Sequence, residues 1–236
     1  MAECDSCLAR RGTICSALSD PDLAGLFALA TTETAAAGSW LVEPGDSAET
    51  VFILRSGHAH VSRITRDGKR QILSFMFPGD FFGFTYEPQY VYGVNAASDV
   101  TICRIARVDF DQYVATHPQL DRRIRVQLTR LLDSAQELIF TLGRKTALER
   151  VAAFIWYLHY RQSKLGAFSQ TQVAAIPMSR ADIADFLGLT SESVSRALTQ
   201  LRNEGLIQLP SADQAVILDK QRLRELGVVI AEPGPP

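Results

Sequence analysis

An α+β chain in three parts is predicted: an antiparallel β-domain, one long helix, and a small helical domain closed by a hairpin. Three observations predict it. Between about Trp40 and Phe110, short β-rich runs alternate with turn residues about 11 residues apart. From Pro118 to Gly143, apolar residues recur at three- and four-residue steps. From Met178 to Leu201, a helix start, a glycine turn and a second capped helix follow one another.

Residues 1–18 hold three of the four cysteines, as Cys4-Asp5-Ser6-Cys7 and then Cys15, without clear periodicity. The fourth, Cys103, stands alone in the apolar run Val100–Ile105. A C-x2-C-x7-C cluster plus one distant thiol supplies four ligands for one soft metal centre, once a fold brings them together. Ser19-Asp20-Pro21 then reads as a helix start, with Leu23, Leu26, Phe27 and Leu29 behind it.

The β-domain is assigned to residues 19–116. Its strands are expected at Val51–Leu54, His60–Ile64, Gln71–Phe77 and Val100–Ile105, with Asp67-Gly68 as a tight hairpin. His58 and His60 alternate on one strand and read as a surface pair.

Residues 117–146 form the long helix. Ile124, Leu128, Leu131, Leu132, Ala135, Leu138, Ile139 and Leu142 leave one apolar stripe, with the arginines largely off it. Two uses are open, a seam between two copies of the chain or packing on its own β-domain. The seam suits so long a helix better, and two-fold pairing is the commonest oligomer symmetry. Its residues would be Ile124, Leu128, Leu131, Ala135, Glu137, Leu138 and Leu142. Glu137 borders the stripe, and two such carboxylates meeting ~8 Å apart across a dyad would repel by roughly 2 kcal/mol at an effective dielectric of ~20. A solvent-exposed Glu137 of no consequence is the plain alternative.

Residues 147–220 carry the strongest motif. Ser179 with Asp182 makes a capping-box start, Gly188 permits the turn, and Thr190 caps the next helix. In that helix Val194, Ala197, Leu198 and Leu201 form a buried side. Glu192, Ser195, Arg196 and Thr199 form a polar side at i, i+3, i+4 and i+7. Such a face fits the DNA major groove, where arginine forks onto guanine O6 and N7 and glutamate accepts from cytosine N4. Ser179 and Thr190, at the two helix starts, join this DNA-binding set. A wing hairpin is expected over Leu206–Leu209 and Ala215–Leu218, and residues 221–236 read as a tail that ends in the disordered Pro233-Gly234-Pro235-Pro236.

Composition narrows the class. Hydrophobic content of 47% and charged content of 21% in 236 residues are those of an ordinary soluble protein. No apolar run approaches ~18 residues, so no membrane span is expected. No signal peptide is visible at the start, which predicts a cytoplasmic location. Disulfides are disfavoured in that compartment, and this turns the cysteines toward metal or redox chemistry. The net charge of −2 gives no bulk attraction to nucleic acid. However, residues 117–170 hold nine Lys or Arg against four Asp or Glu, a basic stretch beside the reading helices. The histidines do not group with acids at metal-ligand spacing, and there is neither a phosphate-binding glycine loop nor a nucleophile elbow, so an enzyme is not predicted.

In this order, β-domain, long helix and winged helix-turn-helix resemble the CRP/FNR family of transcription regulators along nearly the whole chain. The tract Leu189–Arg196, with its Glu-x-x-Ser-Arg triplet, is similar to the recognition helix of the FNR branch. The resemblance implies a β-roll sensor domain like those that bind cyclic nucleotides. It also implies a homodimer that binds a TTGAT-N4-ATCAA-like inverted repeat and contacts RNA polymerase, as an activator or, at other promoters, as a repressor. By motif position Glu192 and Arg196 would read the G·C pair and Ser195 a neighbouring thymine. Cys4, Cys7, Cys15 and Cys103 resemble the ligand set of the oxygen-sensing subset, which implies a [4Fe–4S] cluster. Thiol-based sensing or a zinc site is the alternative. No cyclic nucleotide is expected: around Pro78–Phe84 and Tyr92–Ala97 no arginine is available for a phosphate, and aromatic side chains crowd the pocket.

Overall fold

The computed structural model describes residues 7, 10, 13–164 and 172–227. Cys4 and the Pro-rich end 233–236 lie outside these described residues. The chain divides into two compact units, Met1–Ala135 and Gln136–Pro236.

The first unit is built on two four-stranded sheets, with every strand pair antiparallel. One runs β1 (Ala30–Ala35), β8 (Val100–Ala106), β3 (Thr50–Ser56), β6 (Phe81–Phe82). The other runs β2 (Trp40–Val42), β7 (Gly93–Ala96), β4 (Ala59–Ile64), β5 (Arg70–Met76). Alternation along β3 and β8 sends side chains to two different cores. Phe52, Leu54, Val100 and Ile102 meet Val42, Ala59, Val94 and Ala96 of the other sheet. Val51, Ile53, Cys103 and Ile105 point the opposite way. There they pack on Leu23 and Leu26 of α1 (Asp20–Ala28), Phe110 of α2 (Arg107–Thr116), and Leu120 and Ile124 of α3 (Pro118–Arg144).

Two elements differ from expectation. β1 and α2 have no strong apolar period; β1, Ala-Thr-Thr-Glu-Thr-Ala, is mostly exposed. His60 is not at the surface but 3% exposed, its Nε2 3.4 Å from Arg70 Nη1. The helix start at Ser19 forms as expected, with the Ser19 side chain accepting from the Asp22 amide.

Within the second unit, the end of α3 leads to α4 (Ala147–Lys164), β9 (Val173–Ala175), α5 (Arg180–Leu187) and α6 (Ser191–Asn203). The wing strands β10 (Ile207–Ser211) and β11 (Gln214–Ile217) and the helix α7 (Lys220–Gly227) follow. β11 pairs with both β10 and β9, so the wing is three-stranded. Residues 221–227, expected within a tail, instead belong to a packed helix. Its Leu223 is fully buried, and Gly227 sits so near α4 that a Cβ would lie 2.5 Å from the Ala153 nitrogen.

Candidate nucleic-acid interface and thiol cluster

The two helices of the reading head are fixed by local chemistry. At the start of α5, the Ser179 side chain accepts from the Asp182 amide at 3.1 Å, and the Asp182 carboxylate accepts from the Ser179 amide at 3.2 Å. This reciprocal pair satisfies two amides that a helix start leaves open. The α5 terminus is Gly188 in the left-handed region, φ 60, where glycine has no Cβ penalty. Thr190 caps α6, its Oγ1 accepting from the Ser193 amide at 3.1 Å. Both hydroxyls of the expected DNA set, Ser179 and Thr190, are thus engaged in capping.

α6 divides into two faces. Val194, Ala197, Leu198 and Leu201 are buried. Glu192, Ser195, Arg196 and Thr199 are all exposed and line one shallow groove. Gln200, Asn203 and Glu204 extend this groove toward the C-terminal end of the helix. Their i+4 steps, from Arg196 to Gln200 to Glu204 and from Thr199 to Asn203, were the signal that could have found them. Within the groove, Arg196 Nη2 lies 2.5 Å from Glu192 Oε1, and Ser195 Oγ donates to the Ser191 carbonyl at 2.9 Å. The wing is tied to α5 by Arg180, whose Nη2 donates to the Ala212 carbonyl at 3.1 Å.

On α3, the expected seam residues separate into groups. Ile124 is buried in the first unit's own core, which removes it from a free stripe. Leu128 and Leu131 are 38% and 55% exposed, and Ala135 is exposed. Leu132 and Ile139 add to this exposed row at 58% and 70%. Leu138 and Leu142 are half-buried. Glu137 Oε1 accepts from Lys145 Nζ at 2.7 Å, and the Lys145 side chain is only 4% exposed.

The thiols lie in the first unit. Cys103 is buried at 8%, and Cys15 packs on the same apolar cluster. Cys15 belongs to a 3-10 turn, Ile14–Ala17, anchored by Ile14 and Leu18. Thr13 Oγ1 accepts from the Cys15 amide at 3.2 Å, and the Thr13 carbonyl accepts from Arg123 Nε of α3 at 3.2 Å. Cys7 is half-buried, and Cys7, Cys15 and Cys103 are all thiols. Two of the four expected ligands therefore share one cluster, while Cys4 is outside the described residues. Among the described residues no group of three or more His, Cys, Asp or Glu side chains stands together as a metal site.

Inside the roll, aromatic rings occupy the space between the sheets. Phe52 and Phe82 stack with centroids 4.8 Å apart, and Tyr90 donates to the Thr50 carbonyl at 2.6 Å. Burial pushes the Tyr92 hydroxyl up to about 12.

A β-roll followed by a long helix and a winged helix-turn-helix with an exposed polar recognition face defines a DNA-binding transcription regulator. Comparison with known proteins agrees. Residues 149–226 match the Crp-like helix-turn-helix domain and residues 32–117 the cyclic nucleotide-binding domain. The nitrogen fixation regulation protein FixK of Bradyrhizobium diazoefficiens is 34% identical over 87% of this chain and 86% of its own length. The transcriptional activator protein FnrL of Cereibacter sphaeroides is 30% identical over 94% of this chain and 90% of its own. The structure of FixK2 from Bradyrhizobium japonicum superposes with a TM-score of 0.77 at 33% identity, covering 86% of this chain and 99% of that one. The chain belongs to the Crp/FNR family of regulators, which bind DNA and act as dimers. No helix among the described residues is long and apolar enough to cross a membrane.

Proposed function

We propose that this chain is a cytoplasmic, homodimeric transcription activator that reads a TTGAT-N4-ATCAA-like inverted repeat and binds it in response to oxygen or redox state. The observation that carries the DNA reading is the exposed Glu192–Ser195–Arg196 face on a helix whose other side is buried. Arg196 and Glu192 take the G·C pair, Ser195 a neighbouring thymine, and Thr199 the next groove position. Ser179 and Thr190 hold the two helix starts toward the phosphates. The exposed row Leu128, Leu131, Ala135 and Ile139 meets its copy, with Glu137, Leu138 and Leu142 at its edge. The likeness to the transcriptional activator FnrL supports activation, which implies a contact with RNA polymerase.

The redox part rests on Cys15 and Cys103 sharing one cluster. Four thiolates, Cys4, Cys7, Cys15 and Cys103, suit a [4Fe–4S] group in donor type and number. When bound, such a group supplies an oxygen-labile link between thiolates. Cys15 and Cys103 hold the leading segment against β8, and Arg123 joins that segment to α3 through the Thr13 carbonyl. A second reading is thiol chemistry without iron, which Cys7, Cys15 and Cys103, all thiols, would also allow. The roll works without cyclic nucleotide, because Phe52, Phe82, Tyr90 and Tyr92 fill its interior.

A gel shift under argon tests the DNA reading. Binding to the inverted repeat should weaken at least about tenfold when one half-site is scrambled, as for a dimer that contacts both halves. Equal binding to both duplexes would reject it.

A further inference from the structure

One guanidinium joins the ends of two helices in the second unit. An α-helix leaves its last four carbonyls without partners. Arg150, half-buried near the start of α4, answers two such groups and one carbonyl just beyond a helix end at once. Its Nη2 donates to the Leu142 carbonyl at 2.8 Å and its Nε to the Lys145 carbonyl at 2.9 Å. These belong to the end of α3 and the residue that follows it. Its Nη1 donates to the Leu187 carbonyl at 2.8 Å, in the last turn of α5. Gly188 comes next, and a Cβ there would stand 3.4 Å from Leu142 Cδ2 and 3.5 Å from Arg150 Nη1. Thr190 and the reading helix follow directly. A cation is also favoured where two helix C-termini converge. Because the guanidinium is planar with donors in a fixed fork, its three bonds set the position and the angle of one helix end against the other.

We propose that Arg150 is a positioning residue that sets α6 relative to α3, and thereby sets which half-site spacing the dimer accepts. The inference rests on the reading that α3 forms the dimer seam. If the seam fixes the symmetry axis, the displacement of each α6 from it equals the displacement across the junction that Arg150 braces. Half-sites must lie about one helical turn apart for both reading helices to enter the groove. Arg150 touches backbone alone in these bonds and has no place on the reading face. Lys145 braces the same junction from another side: its Nζ donates to Thr141 Oγ1 at 3.0 Å and to the Gly227 carbonyl of α7 at 2.7 Å.

The test compares wild type, Arg150→Lys and Arg150→Gln under argon on duplexes whose half-sites are separated by three, four, five or six base pairs, and on a single half-site. Sedimentation and circular dichroism are recorded on the same samples. Wild type should prefer one spacing; in the variants that preference should flatten, with about a tenfold loss on the best duplex and half-site binding within about twofold. Variants that keep the wild-type spacing profile overturn the proposal. So do variants that lose half-site and repeat alike, or that fail to fold, since either result makes Arg150 a stability element only. A wild-type protein indifferent to spacing fails the dimer reading itself and takes the proposal with it. That outcome is distinct, because it appears before any substitution is made.

Discussion

Lys145 Nζ stands 2.7 Å from Glu137 Oε1, so the carboxylate that borders the apolar row of α3 carries its own counter-ion. Of the two sequence readings of Glu137, dyad repulsion requires uncompensated carboxylates; an ammonium this close largely cancels that repulsion. The weight of the pair shifts to the buried lysine. Removing one partner of a buried charge leaves the other unsatisfied, which is costly. Glu137→Ala should therefore destabilise the chain by about 1–3 kcal/mol in urea unfolding, less than the full buried-pair cost because Glu137 is half-exposed. Glu137→Gln, which keeps an acceptor, should lose less. If Glu137→Ala is as stable as wild type and dimerises more strongly, dyad repulsion is restored as the explanation.

Arg196→Ala should lower affinity by about 1–3 kcal/mol and relax discrimination at one base pair of each half-site, with other positions read as before. Its ion pair with Glu192 is solvent-exposed, and such pairs contribute little, so α6 itself should stay folded. A loss uniform over all sequences, with a reduced salt slope, would reassign Arg196 to a phosphate.

Leu131 is 55% exposed within its own chain, so a charge there leaves the monomer fold intact. Leu131→Glu should give monomers in sedimentation velocity with unchanged helix content. A variant that remains dimeric would move the seam off this row.

His159 makes acid stability predictable. Burial first, and the Lys220 charge second, hold its ring below its ordinary value of 6.5, against an opposing hydrogen bond with the Val173 backbone. Below 6.5 the unfolded chain takes up a proton that the folded ring resists. The contribution is complete above that pH and is lost as pH falls through the lowered folded value. Urea midpoints should therefore fall between about pH 7 and pH 5, and His159→Gln should reduce the slope. His58 shifts in the same direction through burial, so the slope should shrink without vanishing. An unchanged slope in His159→Gln would show that His159 contributes nothing.

Much of the reading head was legible because its signals are local. Ser179, Asp182, Gly188 and Thr190 each act within four residues, and the two faces of α6 follow from helical spacing alone. The β-domain was legible where turns punctuate it, as between β4 and β5. β1 was not: Ala-Thr-Thr-Glu-Thr-Ala is held by its pairing with β8, about 70 residues away, and lacks an apolar alternation. The sheet face that Cys103 presents depends on which core β8 turns it toward, and the pairing of Lys145 with Glu137 and Gly227 on the end of α3 and α7 folding together. The brace at Arg150 was not legible either. Its partners are carbonyls, which carry no side-chain signature.

In the proposed function, thiolates of the leading segment and Cys103 jointly hold an oxygen-labile group that governs DNA binding. The direct measurement is iron and acid-labile sulfide on protein purified under argon, with a gel shift on the inverted repeat before and after exposure to air. About four irons and four sulfides per chain are expected, lost together with operator binding in air and absent from Cys103→Ala. Colourless protein that binds the operator equally well in argon and in air would contradict it.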